Sequence, residues 1–111
     1  MAEPVFGTEV VHDDGATTIY VEGDIDIATA GRLQDAIEPH MGPEQTIVLD
    51  LSRVEFMDSS CASVLVHARG SLTADGGSLV LRNPSSIARR LLSVTGIEFI
   101  LADDGEQPAP A

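Results

Sequence analysis

Asp58-Ser59-Ser60-Cys61 places a carboxylate, two hydroxyls and a thiol at four consecutive positions, directly after the apolar pair Phe56-Met57. The stretch reads as the start of a helix, where first-turn N–H groups lack intrahelical partners and favour negative charge. A phosphate on either serine would sit among such donors, adding roughly −1.5 to −2 charge and strong acceptor oxygens. A plainer reading has Ser59 or Ser60 capping the helix. Cys61 also has two readings: a thiol activated by the helix start, or a small, partly buried side chain. Hydrolytic chemistry does not fit. Ser60 and His67 lie seven positions apart, about 10 Å along one helix axis, too far for direct proton transfer. No Gly-x-Ser-x-Gly elbow is present. His12, His40 and His67 fall on separate predicted elements, so no metal site is expected, and an enzyme is not expected.

The elements that must position this stretch follow from the hydrophobic pattern. A strand is expected over Val5–His12, then a turn at Asp13-Asp14-Gly15. Thr17–Glu22 alternates, with Thr17, Ile19 and Val21 on one row and the more polar Thr18, Tyr20 and Glu22 on the other. Gly23-Asp24-Ile25-Asp26 closes that strand. A helix follows from about Ala30, with Thr29 as its N-cap, Leu33, Ala36 and Ile37 as its stripe, and Pro39 near its end.

Thr46–Leu51 gives the next strand, and Val54, Phe56 and Met57 a loop, with Phe56 and Met57 anchoring the serines from the core side. The serine-bearing helix runs to about Leu72 and packs through Ala62, Leu65, Val66, Arg69 and Leu72. Gly76-Gly77 precedes the strand Ser78–Arg82. Asn83-Pro84 starts a third helix that packs through Ile87, Leu91, Leu92 and Val94 and ends at Gly96. Phe99–Ala102 forms a last strand, so residues 1–102 make one domain and residues 103–111 an acidic, proline-containing flexible tail. The order β-β-α-β-α-β-α-β predicts a single α/β domain, its sheet mixed but mostly parallel after an N-terminal hairpin. The half-polar strand rows place the helices mainly on one face.

Composition limits the partners. The 111 residues carry 18 Asp and Glu against 6 arginines and no lysine, a net charge of −12. That balance disfavours a nucleic-acid backbone and an anionic membrane surface. Without lysine there is no phosphate-binding loop of the GK[ST] type, so no nucleotide cofactor is expected. One cysteine excludes an internal disulfide, no apolar run spans a membrane, and the N-terminus does not resemble a signal peptide. A cytoplasmic location is expected.

Taken in order, several segments resemble the STAS domain, specifically the stand-alone anti-sigma factor antagonists of bacteria. The segments are Gly23-Asp24-Ile25-Asp26, Ile47-Val48-Leu49-Asp50-Leu51, Phe56-Met57-Asp58-Ser59-Ser60, Asn83-Pro84-Ser85 with Ile87–Leu92, and Thr95-Gly96-Ile97. The resemblance spans Val5 to Ala102. It implies that Ser60 is the phosphoacceptor, that Asp58 and Ser59 support it, and that Asp24, Asp26, Asp58, Ser59, Ser60 and Cys61 contribute to a partner-binding patch. It also implies that an ATP-binding anti-sigma factor serine kinase is bound by the unphosphorylated form and thereby releases its sigma factor. Phosphorylation blocks that exchange and a serine phosphatase restores it. Cys61 departs from the family, which commonly has glycine after the second serine. Asp24 and Asp26 also read as ordinary turn residues, and Arg89 and Arg90 as an exposed helix face. An alternative function for the same fold is a non-phosphorylated scaffold or adaptor, serving a lipid transporter or a signalling assembly.

Overall fold

The computed structural model describes residues 6–97. Its elements are β1 (Phe6–Asp13), β2 (Ala16–Ile25), α1 (Ala30–Ile37) with a 3-10 turn at Glu38–His40, β3 (Thr46–Met57), α2 (Ser59–Ala74), β4 (Ser78–Arg82) and α3 (Ser86–Thr95). The expected strand at Phe99–Ala102 and the tail at 103–111 lie outside the described residues. Strand order is β1-β2-β3-β4, with β1 antiparallel to β2 and the β2–β3 and β3–β4 pairs parallel. The α/β class, the hairpin and the one-sided arrangement of helices follow the sequence reading.

The hairpin turns on Asp14 and Gly15, both at positive φ (47° and 82°). Both central residues of a type I′ turn need that conformation, which matches the twist of the flanking strands. Residues opposite each other across a ladder share a face. Val10, Ile19, Leu49 and Leu81 form one row, and His12, Thr17, Ile47 and Leu79 the next. Ile19, Ile47, Leu49 and Leu81 in these rows are fully buried together with Leu33 of α1 and Leu65 of α2, so this is the helix-covered face. The other face carries Val11, Thr18, Val48 and Val80, then Glu9, Tyr20, Asp50 and Arg82. It is less open than alternation implies, because Val48 and Asp50 in its centre are buried.

Both central strands run further than expected. At each of two bulges β3 advances one extra residue against β2, so Glu22 pairs with Arg53 and Asp24 with Phe56. Leu51, Val54 and Met57 are therefore buried at intervals of three residues, within a strand rather than a loop. Phe56 points the other way and is 43% exposed, so Met57 alone of the pair anchors the serines.

Helix phases also differ from the expectation. In α2 the core side is Cys61, Val64, Leu65, Ala68 and Leu72, while Val66 is exposed. In α3 it is Ala88 and Leu92, with Leu91 partly buried and Ile87 and Val94 outside. The α3 cap is Ser85, whose hydroxyl accepts from the Ala88 N–H at 3.2 Å, not Asn83. Asn83 instead sits at φ 52° and donates its amide to Asp50 at 3.0 Å. Gly96 ends α3 in the left-handed conformation, as expected. Pro39 falls in the 3-10 turn that closes α1.

Candidate functional site

Parallel β2 and β3 deliver their carboxyl ends to the same edge of the sheet, where crevices form in open α/β folds. Ile25 pairs with Met57, and the Asp58 N–H donates to the Ile25 carbonyl at 3.1 Å. The loop after β2 and the start of α2 are therefore stitched side by side. Asp24, Asp26, Asp58, Ser59 and Ser60 share this edge.

The cap of α2 is Asp58, not a serine. Its backbone is extended (φ −121°) and its Oδ1 accepts from the Ser60 N–H at 2.9 Å. The same oxygen accepts the Ser60 hydroxyl in a short hydrogen bond. The serines are thus free of the capping role, and Ser60 Oγ has its proton directed at a carboxylate. Its lone pairs are left for another partner. Ser59 is exposed and Ser60 half-buried.

Cys61 is turned into the core with no exposed surface. Burial, and to a smaller degree the Asp58 charge, push its thiol up to about 12. Desolvation overrides the helix start, so the activated-thiol reading does not hold. Nor does its side chain reach the partner patch; it seats the first turn of α2 from beneath.

The loop after β2 is an Asx turn. Asp26 Oδ1 accepts from the N–H groups of Ala28 (2.9 Å) and Thr29 (3.1 Å). Thr29 lies at the N-cap position of α1 but makes no capping bond. Its buried hydroxyl donates to the Asp24 carbonyl at 2.8 Å and accepts from the Asp26 N–H at 2.9 Å. Asp26 therefore has the local structural role, while the loop it shapes lifts Ile27 to 85% exposure. Ile27 and Phe56 are apolar surface on this edge that the sequence reading missed. The only signal for Ile27 was a single large apolar residue set among Asp24, Asp26, Ala28 and Thr29.

No lysine or arginine occurs in residues 54–68, nor in residues 23–31. The edge is acidic with apolar points, the character of a reversible protein interface rather than of a catalytic cleft. His12 and His40 meet at the opposite end of the sheet, with ring centroids 5.4 Å apart, and His12 Nδ1 is 3.1 Å from Thr17 Oγ1. Among the described residues no three metal-binding side chains cluster. No described helix is long and apolar enough to cross a membrane.

A small mixed sheet with helices on one face, presenting a serine held by the helix-capping aspartate at the carboxyl edge, defines a regulatory domain that works by binding. Residues 8–102 match the family described as Mlab, STAS domain. The chain belongs to the STAS domain and anti-sigma factor antagonist family, which is regulatory rather than catalytic. It is 36% identical over 84 residues to the anti-sigma-B factor antagonist of Listeria monocytogenes, covering 75% of this chain and 74% of that one. With the Bacillus subtilis anti-sigma-B factor antagonist it shares 28% identity over 93 residues, covering 84% and 85%. An anti-sigma factor antagonist from Mycobacterium paratuberculosis superposes with a TM-score of 0.78 at 28% identity, covering 89% of this chain and 86% of that one.

Proposed function

We propose that this protein is a cytoplasmic anti-sigma factor antagonist switched by phosphorylation of Ser60. The unmodified form binds an anti-sigma factor serine kinase and releases its sigma factor; the phosphorylated form does not bind, and a serine phosphatase resets it. The observation that carries this reading is the Asp58–Ser60 geometry. Asp58 caps α2 and takes the Ser60 proton-bearing bond, which leaves the hydroxyl oxygen presented at an edge flanked by Ile27 and Phe56.

The chemistry asked of this chain is small. The kinase holds ATP, and Ser60 Oγ attacks the γ-phosphorus, breaking its bond to the bridging oxygen of ADP. The hydroxyl proton leaves to a base. Asp58 orients the nucleophile by accepting its O–H. After transfer that donor is gone, and a phosphate near −2 stands beside the Asp58 carboxylate. First-turn N–H groups hold part of the new charge, but the edge presented to the partner has become more anionic and more strongly hydrated. Docking then requires desolvating that charge, which disfavours the complex.

Incubation with the cognate kinase and ATP, followed by intact mass and peptide mapping, tests this directly. One added phosphate located on Ser60, absent from Ser60→Ala, is the expected result. No phosphate on Ser60, under conditions that modify a control substrate, overturns the mechanism. It would leave the second reading, a constitutive STAS adaptor in which the Asp58–Ser60 contact is purely structural. The buried Cys61 at the position after Ser60 favours that reading, because it fixes the first turn more firmly than glycine would.

A further inference from the structure

Helix α3 has a second apolar line beside its buried stripe, and that line packs on the core only through the partly buried Leu91. Ala88 and Leu92 face the core. Ile87, Leu91 and Val94, at spacings of four and three, follow another line, with Ile87 37% and Val94 75% exposed. Together with Arg90 and Met57 they line an open groove of about 400 Å³. Helical spacing of this kind on an outward face is what an amphipathic partner segment reads.

The charge of the groove runs against that of the molecule. The chain is at −12, yet α3 contains no Asp or Glu and carries two of the six arginines, Arg89 and Arg90. Among the described residues neither arginine has an ion-pair partner. The groove lies close to the Ser60 edge along the chain, since Met57 in its wall directly precedes Asp58.

We propose that the stripe Ile87–Arg90–Leu91–Val94 is a second contact surface for the protein partner. It takes a segment of that partner bearing Asp or Glu beside large apolar side chains. The inference rests on the Ser60 reading for the identity of the partner, the anti-sigma factor kinase. Charge selects the occupant: an acidic segment finds Arg89 and Arg90 without an ion-pair partner among the described residues, whereas a second copy of α3 would bring like charges together between two strongly acidic bodies. One surface then carries the switch, and the other holds affinity that phosphate on Ser60 does not reach.

The test is the affinity of the full chain for the cognate anti-sigma factor kinase, measured at low and high salt with Arg90→Glu, Val94→Ser and Ser60→Glu. All three positions are at least partly exposed, and equal melting temperatures check that the variants fold. Arg90→Glu is expected to weaken binding by about 10-fold or more at low salt and by less at high salt. Val94→Ser is expected to weaken it at both. If Arg90→Glu and Val94→Ser bind as wild type while Ser60→Glu does not, the second surface is wrong and the switch stands. If only Ser60→Glu binds as wild type, the switch is wrong and the surface stands. A dimer dissolved by Val94→Ser, or tighter binding after removal of residues 103–111, would assign the groove to a second copy or to the chain's own terminus and overturn the proposal.

Discussion

One oxygen of Asp58 accepts both the backbone N–H and the hydroxyl of Ser60, so the cap of α2 and the hold on the candidate phosphoacceptor are the same atom. The two roles separate by substitution. Asp58→Ala removes the cap and is expected to cost about 1 kcal/mol, a fall in melting temperature of roughly 4–8 °C for a domain of this size. Asp58→Asn keeps an acceptor for the Ser60 N–H and should melt close to wild type. It removes the carboxylate, however, and is expected to slow phosphorylation of Ser60 in the kinase assay. Equal phosphorylation of wild type and Asp58→Asn would confine Asp58 to capping.

Asp50 predicts how the fold responds to acid. Burial raises its pKa, but the Ser52 hydroxyl and N–H, the Asn83 amide and the Arg53 charge outweigh this and leave it below the usual carboxylate value. The Ser52 N–H and Asn83 contacts are both 3.0 Å long. A carboxyl with a depressed native pKa stabilises the fold at pH values above its unfolded pKa. That contribution is lost as pH falls from the unfolded value, about 3.9, through the lower native one. Unfolding free energy should therefore drop as pH falls below about 4 more steeply in wild type than in Asp50→Asn, by urea denaturation at each pH. Parallel slopes would show that Asp50 is not the group responsible.

Much of the architecture was readable because one face of the sheet is buried and the other is not. Alternation over Thr17, Ile19 and Val21 gives β2 its orientation. Ser78–Arg82 and the end of α3 at Gly96 likewise fall where the residues place them. The second half of β3 was not readable, since its buried residues come every third position and only the bulges against β2 make that a strand. The phase of α2 was ambiguous for a different reason. Ala62 and Val66 are as apolar as Cys61, Val64 and Ala68, so hydrophobicity alone does not choose between neighbouring arcs. At the candidate site, the serines stand out in the sequence by type and position. The capping role of Asp58, the inward turn of Cys61 and the exposure of Ile27 depend on tertiary contacts and do not.

The orientation of Cys61 makes it a reporter of folding. Cys61 has no exposed surface and a thiol pushed up to about 12, so almost none is thiolate at pH 8. Labelling by a water-soluble disulfide reagent should be slow in the native protein and become rapid in denaturant, tracking loss of structure. Fast stoichiometric labelling of the native protein at pH 8 would contradict the buried placement and restore the activated-thiol reading.

Two glycines close to each other in sequence are expected to respond in opposite directions to the same added methyl group. Gly70 is exposed within α2, and a Cβ built on it meets nothing within 4 Å. Gly70→Ala should stabilise the protein by about 0.5–1 kcal/mol, because alanine loses less backbone freedom in a helix. At Gly77 the added Cβ would lie 2.1 Å from the Gln45 carbonyl oxygen and 2.9 Å from its nitrogen. That backbone cannot yield easily, since the Gln45 carbonyl accepts from the Ser78 N–H at 3.0 Å and sits at the start of the β3–β4 ladder. Gly77→Ala must therefore push β4 from β3, and a loss of roughly 1–3 kcal/mol or more follows, the range for overpacking. Thermal melts of the two variants beside wild type decide the matter. A Gly77→Ala protein as stable as wild type would mean that β4 does not approach Gln45 as closely as described.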